Sequence, residues 1–165
     1  MSARVRRARE PGSVFAIPLA GGGLGIGRCL AYPLVEFFDL RLKSAEEFEL
    51  ERLADTAVLF RTWVDDRAGK VGGWIPLGSI PLSDLELAAD EPTYRHDVVS
   101  GAFYRYQDDP SAWNSEPLTP EECVGMELAA VWDGGGIASR LSDALDRVPN
   151  KWLQYERDIL GGASA

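Results

Sequence analysis

The chain is short of the side chains that most enzymatic chemistry requires. It has one histidine, His96, and two cysteines, Cys29 and Cys123, in 165 residues. The cysteines lie far apart and form no CxxC, so two reduced, buried thiols are expected rather than a disulfide. One histidine and two cysteines make no convincing zinc set, so neither a metal nor a cofactor is expected. Also missing is any uninterrupted apolar run near the ~20 residues that span a bilayer. A soluble protein without membrane contact is therefore the expectation. Met1 to Glu10 is basic through Arg4, Arg6, Arg7 and Arg9, yet no apolar core follows before Pro11 and Gly12. Residues 1–11 read as a disordered basic tail rather than a targeting signal, and the expected location is the cytoplasm.

What is present is ordinary globular usage, 45% hydrophobic and 26% charged residues. Residues 12–160 read as a single domain with a frayed terminus at 161–165, and folding at this length buries about two-thirds of the chain's surface. The formal net charge is −9, and the tail masks part of it: without those four arginines and Glu10, 13 basic side chains face 25 acidic ones, a balance of −12. A body of this sign repels nucleic acid and attracts basic surfaces. Acidity that serves solubility alone is the other reading.

Ser13 to Leu19, the glycines Gly21, Gly22 and Gly23, and Leu24 to Tyr32 read as a β-hairpin. In its second arm Leu24, Ile26, Arg28, Leu30 and Tyr32 share one face, while Gly25, Gly27, Cys29 and Ala31 line a small face suited to lying under something large, such as an indole. Leu34 to Leu42 reads as a third strand. Ser44 with Glu47 fits a capping box for a short helix to about Leu53. Thr56 to Val64 returns to strand, and Asp65, Asp66, Ala68 and Gly69 mark a turn. Pro76 and Pro81 confine Ile75 to Leu82 to an edge strand or ordered loop. Asp84 to Asp97 reads as acidic and turn-forming, Gly101 to Tyr106 as a strand, and Asp108 to Leu118 as a long polar loop. Thr119, Pro120 and Glu122 supply an N-cap, a first-turn proline and a capping-box carboxylate. Leu128 to Trp132 reads as a last buried strand. Ile137, Leu141, Leu145 and Val148 recur at helical spacing until Pro149 stops them, and Trp152 to Leu160 adds one or two helical turns. The sum is an α+β domain: a curved antiparallel sheet or open barrel, with a C-terminal amphipathic helix packed on it.

The motifs that invite chemistry have plainer readings. Gly21 to Gly27 has Arg28 and Cys29 where a phosphate loop needs lysine and a hydroxyl, and it joins strand to strand, so it reads as a hairpin turn. Gly134 to Gly136 lies between strand and helix, where free amides can bind an anion, but it lacks lysine and reads as a connector. His96 with Cys29 or Cys123 is the one Cys/His set, and no serine sits in a GxSxG elbow. The pairs Asp65 with Asp66, Asp108 with Asp109 and Glu121 with Glu122 read as solvated loops rather than acid/base dyads. Of the tryptophans, Trp63, Trp74 and Trp132 read as core. Trp113, in the polar loop, reads either as an exposed anchor of the kind enriched at binding hot spots or as a pin for its own loop.

Gly12-Ser-Val-Phe-Ala-Ile-Pro-Leu19 followed by Gly23-Leu-Gly-Ile-Gly-Arg28 resembles the opening of the immunity protein 26 family of bacterial polymorphic toxin systems. There a strand of type G-x-[VI]-[FY]-x-[IV]-P-L leads through a glycine turn into G-x-G-[RQ]. The stretches Phe37-Phe38-Asp39, Trp74 to Ser79, and Trp132 to Leu145 match in kind. The resemblance implies a non-enzymatic protein that binds and neutralises a cognate protein toxin, which for a basic nuclease would suit an acidic body. It supplies no catalytic residues, and Gly12, Phe15, Ile17, Pro18, Gly25 and Gly27 look structural. Candidate partner-binding residues are Asp65, Asp66, Asp108, Asp109 and Trp113. A regulatory interaction module and a Cys/His enzyme remain the competing readings.

Overall fold

β1 (Ser13–Pro18) and β2 (Leu24–Cys29) form the expected antiparallel hairpin, turning through Gly22 and Gly23 at φ values of 90° and 79°. Glycine adopts these angles without the Cβ clash that opposes them in other residues. β3 (Leu34–Leu42) pairs with β2, β4 (Val58–Val64) pairs with β3, and β5 (Ile75–Ser79) pairs with β1, all antiparallel. The two-residue β10 (Val131–Trp132) adds to β4 in parallel and completes a sheet ordered β10-β4-β3-β2-β1-β5. Pro76 sits in β5, an edge strand, the position to which its missing N–H confines a proline within a sheet.

The computed structural model describes residues 10–163, which fall into two compact units. The arginine-rich part of the tail at residues 1–9 and the last two residues of the frayed terminus lie outside the described residues. The first unit comprises residues 10–90 with Val131–Asn150, and the second comprises Glu91–Ala130 with the C-terminal segment from Lys151.

In the first unit β1 is buried on both faces because each face has its own cover. Phe15 and Ile17 join Cys29, Val35, Phe37 and Val64 under Ile137 and Leu141 of α4 (Gly134–Asp146). Val14 and Ala16 join Ile26, Phe38 and Leu42 under Leu53, with Phe48 and Leu50 packed alongside. The period-two alternation of β1 thus feeds two cores, one for each face. The small face of β2 lies under large side chains, as expected, but these are Phe15, Phe37 and Leu141 rather than an indole. A Cβ on Gly27 would stand 2.6 Å from Phe15 and one on Gly25 2.4 Å from Leu141, while the Trp74 indole lies one layer out, stacked on Phe15 at 4.5 Å.

Two short helices belong to this unit, α1 (Ala68–Val71) and α2 (Asp84–Leu87). The second is a departure from the turn-forming reading: Ser83 and Glu86 close a full capping box. The Ser44 capping box does not form. Residues 45–47 and 50–55 are 3₁₀ turns without a side-chain cap, and the Glu47 carboxylate accepts instead from the Lys43 amide at 3.1 Å.

The second unit holds a sheet ordered β8-β7-β6-β9, from β6 (Thr93–His96), β7 (Phe103–Arg105), β8 (Pro117–Leu118) and β9 (Glu127–Leu128). β9 pairs with β6 in parallel. Tyr94, Phe103 and Cys123 form its core with Leu118, Met126, Leu128, Ile159 and Leu160. Thr119 and Glu122 cap α3 (Pro120–Cys123) as expected. α5 (Lys151–Ala163) runs thirteen residues, longer than the turn or two expected, and contributes Ile159 and Leu160 to the core. The architecture is α+β with helices on sheet; neither sheet closes into a barrel, and each carries one parallel pair among antiparallel ones. The single strand expected over Leu128 to Trp132 is two bridges. The Ala130 amide donates to the Leu128 carbonyl at 2.7 Å, a tight bend after which the chain joins the other sheet.

Candidate functional site

The structure divides the candidate residues between the units. Asp65 and Asp66 lie exposed in the first, between β4 and α1, where Asp65 accepts the Arg67 amide at 2.7 Å. Asp108, Asp109 and Trp113 lie together in the second, on the segment linking β7 to β8. Asp109 caps the 3₁₀ turn at Pro110–Ala112, accepting from the Ser111 amide at 2.9 Å and its hydroxyl at 2.8 Å. Those bonds hold its carboxyl below the ordinary aspartate value, so Asp109 is an anion fixed in place. Asp108 stands by the Tyr106 phenol, whose pKa rises through burial first and the Asp108 charge second.

Trp113 is both partly exposed and held in its loop. It is 40% exposed, yet its backbone carbonyl accepts from the Arg95 guanidinium at 3.1 Å. The same guanidinium bonds Asn114 and stands 5.0 Å from the Tyr104 ring centre and 5.5 Å from that of Trp113. Arg95 and Tyr104 are cross-strand partners of β6 and β7, so the sheet itself places the cation that pins the indole. The result is a half-exposed indole held by Arg95, on the same segment as the hydrogen-bonded Asp109.

Sequence reasoning missed a charged row across the first sheet. Glu36, 1% exposed, accepts from Arg28 at 2.7 Å on one carboxylate oxygen and from Arg61 at 3.2 Å on the other. The three residues are register partners on β2, β3 and β4. Arg28 also reaches Glu86 of α2 at 2.8 Å, so the final arginine of the hairpin motif tethers the acidic segment to the sheet. Alternation of Arg28, Glu36 and Arg61 onto one face was the available signal, and it required the register. The Arg140 guanidinium, buried on α4, lies 4.1 Å from the Phe60 ring centre and 4.9 Å from that of Trp132.

Also missed was the tip of the β6–β7 hairpin. Val98 and Val99 are 79% and 94% exposed on a turn bound to Asp97, whose carboxylate accepts from the Val99 amide at 2.9 Å and the Ser100 amide at 3.3 Å.

The thiols are poor nucleophiles. Both cysteines are free and buried, and burial pushes each pKa up to about 11. A catalytic thiol needs the opposite shift. His96 lies stacked on Phe103 at 4.6 Å, and Cys29 belongs to the other unit. Among the described residues no group of histidine, cysteine, aspartate and glutamate could hold a metal ion, and no helix is long and apolar enough to cross a membrane.

A sheet whose hairpin opens with G-x-V-F-x-I-P-L and closes with G-x-G-R is the frame on which the comparison with known families falls. The model of immunity protein 26 matches residues 10–105, from the start of the first unit through β7. The chain belongs to the immunity protein 26 family. No curated protein and no solved structure matches it.

Proposed function

We propose that this chain is a non-enzymatic immunity protein that neutralises a cognate basic toxin, a nuclease being the partner class that best suits its charge, by binding it in the cytoplasm. The observation that carries the reading is the family match over residues 10–105, which runs from the first unit into the second. The acidic balance of −9 favours association with a basic protein and disfavours nucleic acid. Two thiols raised by burial argue against covalent catalysis. Trp113, with Asp108 and Asp109 on the same segment, supplies a half-exposed aromatic of the kind enriched at binding hot spots, with acidic residues nearby in sequence. Asp65 and Asp66 add steering charge on the first unit.

The test is protection. Induction of the toxic domain encoded beside this chain's gene should arrest growth, and co-expression of the chain should restore it. Unrelieved arrest with both proteins present at comparable levels would overturn the reading.

A further inference from the structure

We infer that the tip of the β6–β7 hairpin is a preformed apolar wedge, with Val98 and Val99 entering an aliphatic pocket on the toxin. This rests on the immunity reading and names one contact that would carry it. Two adjacent β-branched side chains at 79% and 94% exposure leave their apolar surface in water, at a standing cost that burial in a partner removes.

The tip is closed by its own hydrogen bonds. Asp97 receives the Val99 and Ser100 amides on its carboxylate and the Gly101 amide, at 2.7 Å, on its carbonyl; its own amide donates to the Ala102 carbonyl at 2.9 Å. Gly101 closes the turn at φ 73°, with open space where a side chain would be. Below the turn His96 stacks on Phe103, which is buried in the core of the second unit. A wedge already in its bound shape loses little conformational entropy on docking.

The occupant follows from charge and area. A membrane is disfavoured because interfacial insertion uses basic residues around an apolar face, whereas here the tip carries Asp97, the nearby Arg95 is engaged by Asn114 and the Trp113 carbonyl, and the chain's net charge is −9. A second copy is disfavoured by the same like charge. Two valines also supply only a small part of the ~800 Å² per side that a stable interface buries. The wedge therefore works within a larger contact made with an oppositely charged protein, which is the basic toxin.

The experiment uses the full chain and an inactivated form of the toxic domain encoded beside its gene, with affinity measured by calorimetry. Val98→Ser together with Val99→Ser keeps the charge and the Asp97 turn. It should weaken binding at least ~10-fold, leave the salt dependence unchanged and leave the melting temperature as in the parent. Equal affinity of parent and variant would overturn the wedge while the immunity reading stands. Absence of a complex with the parent chain would overturn both. Binding of the parent to vesicles of anionic phospholipid, or a dimer at high concentration, lost in either case by the variant, would replace the toxin pocket with a membrane or a second copy.

Discussion

Phe15 and Gly27 stand opposite each other in the β1–β2 pair, and the Phe15 ring occupies the space of the side chain that Gly27 lacks. Phe37 approaches the same space from β3, at 3.3 Å from a hypothetical Cβ, so the glycine lets two rings close over one strand. The row extends outward, Trp74 stacking on Phe15 at 4.5 Å and Phe60 on Phe37 at 4.8 Å. Gly27→Ala should therefore cost about 1–3 kcal/mol by overpacking, visible as a lower denaturant midpoint with unchanged slope. A midpoint equal to the parent's would mean that the rings have room to retreat.

Glu36 is the buried acceptor for two arginines, and removing it leaves Arg28 with Glu86 in place of two carboxylates and takes this carboxylate from Arg61. Arg28 is nearly covered, whereas Arg61 is more than a third exposed and loses less. Glu36→Leu should cost about 3 kcal/mol in chemical denaturation. Glu36→Gln, which keeps an acceptor, should cost less.

Glu86 links pH to stability. The Ser83 amide, then the Ser83 hydroxyl and Arg28, hold its carboxyl below the ordinary glutamate value of about 4.5. A depressed folded pKa means that its contribution is complete above the unfolded value and is lost as pH falls through the folded one. Melting temperature followed from neutral to about pH 3 should fall more steeply in the parent than in Glu86→Gln below 4.5, and in parallel above it.

The buried thiols give a chemical test of the enzymatic alternative. With both pKa values raised to about 11, neither Cys29 nor Cys123 should react with an aromatic disulfide at neutral pH until the chain is unfolded. Rapid labelling of the native protein would reinstate a nucleophile.

The elements legible in the sequence are those whose signals are local. The glycine turn and alternating arms of the first hairpin, the boundaries of β3, the Thr119 capping box and the Ile137–Leu141–Leu145 stripe of α4 appear where the residues place them, although the helix ends at Asp146 and leaves Val148 outside it, half exposed. What was illegible depends on partners far along the chain. The division of Leu128 to Trp132 turns on one bend at Ala130, and the bridges on either side pair with strands dozens of residues away. Asp84 to Asp97 hid a capped helix and a strand because its acidic residues obscured both the Ser83–Glu86 box and the Tyr94 core position. Of the candidate site, Trp113 and Asp109 were visible as a tryptophan and an acid in a polar loop. The hold of Arg95 on Trp113 was not, since it requires the β6–β7 register, whereas the Asp109–Ser111 cap is local to the loop.

The most direct measurement of the central claim is titration of the purified chain into the active toxic domain encoded beside its gene, reading toxin activity against molar ratio. The account predicts that activity falls to zero at a fixed stoichiometry, with association slowed by added salt. Undiminished activity in an excess of folded chain would contradict it.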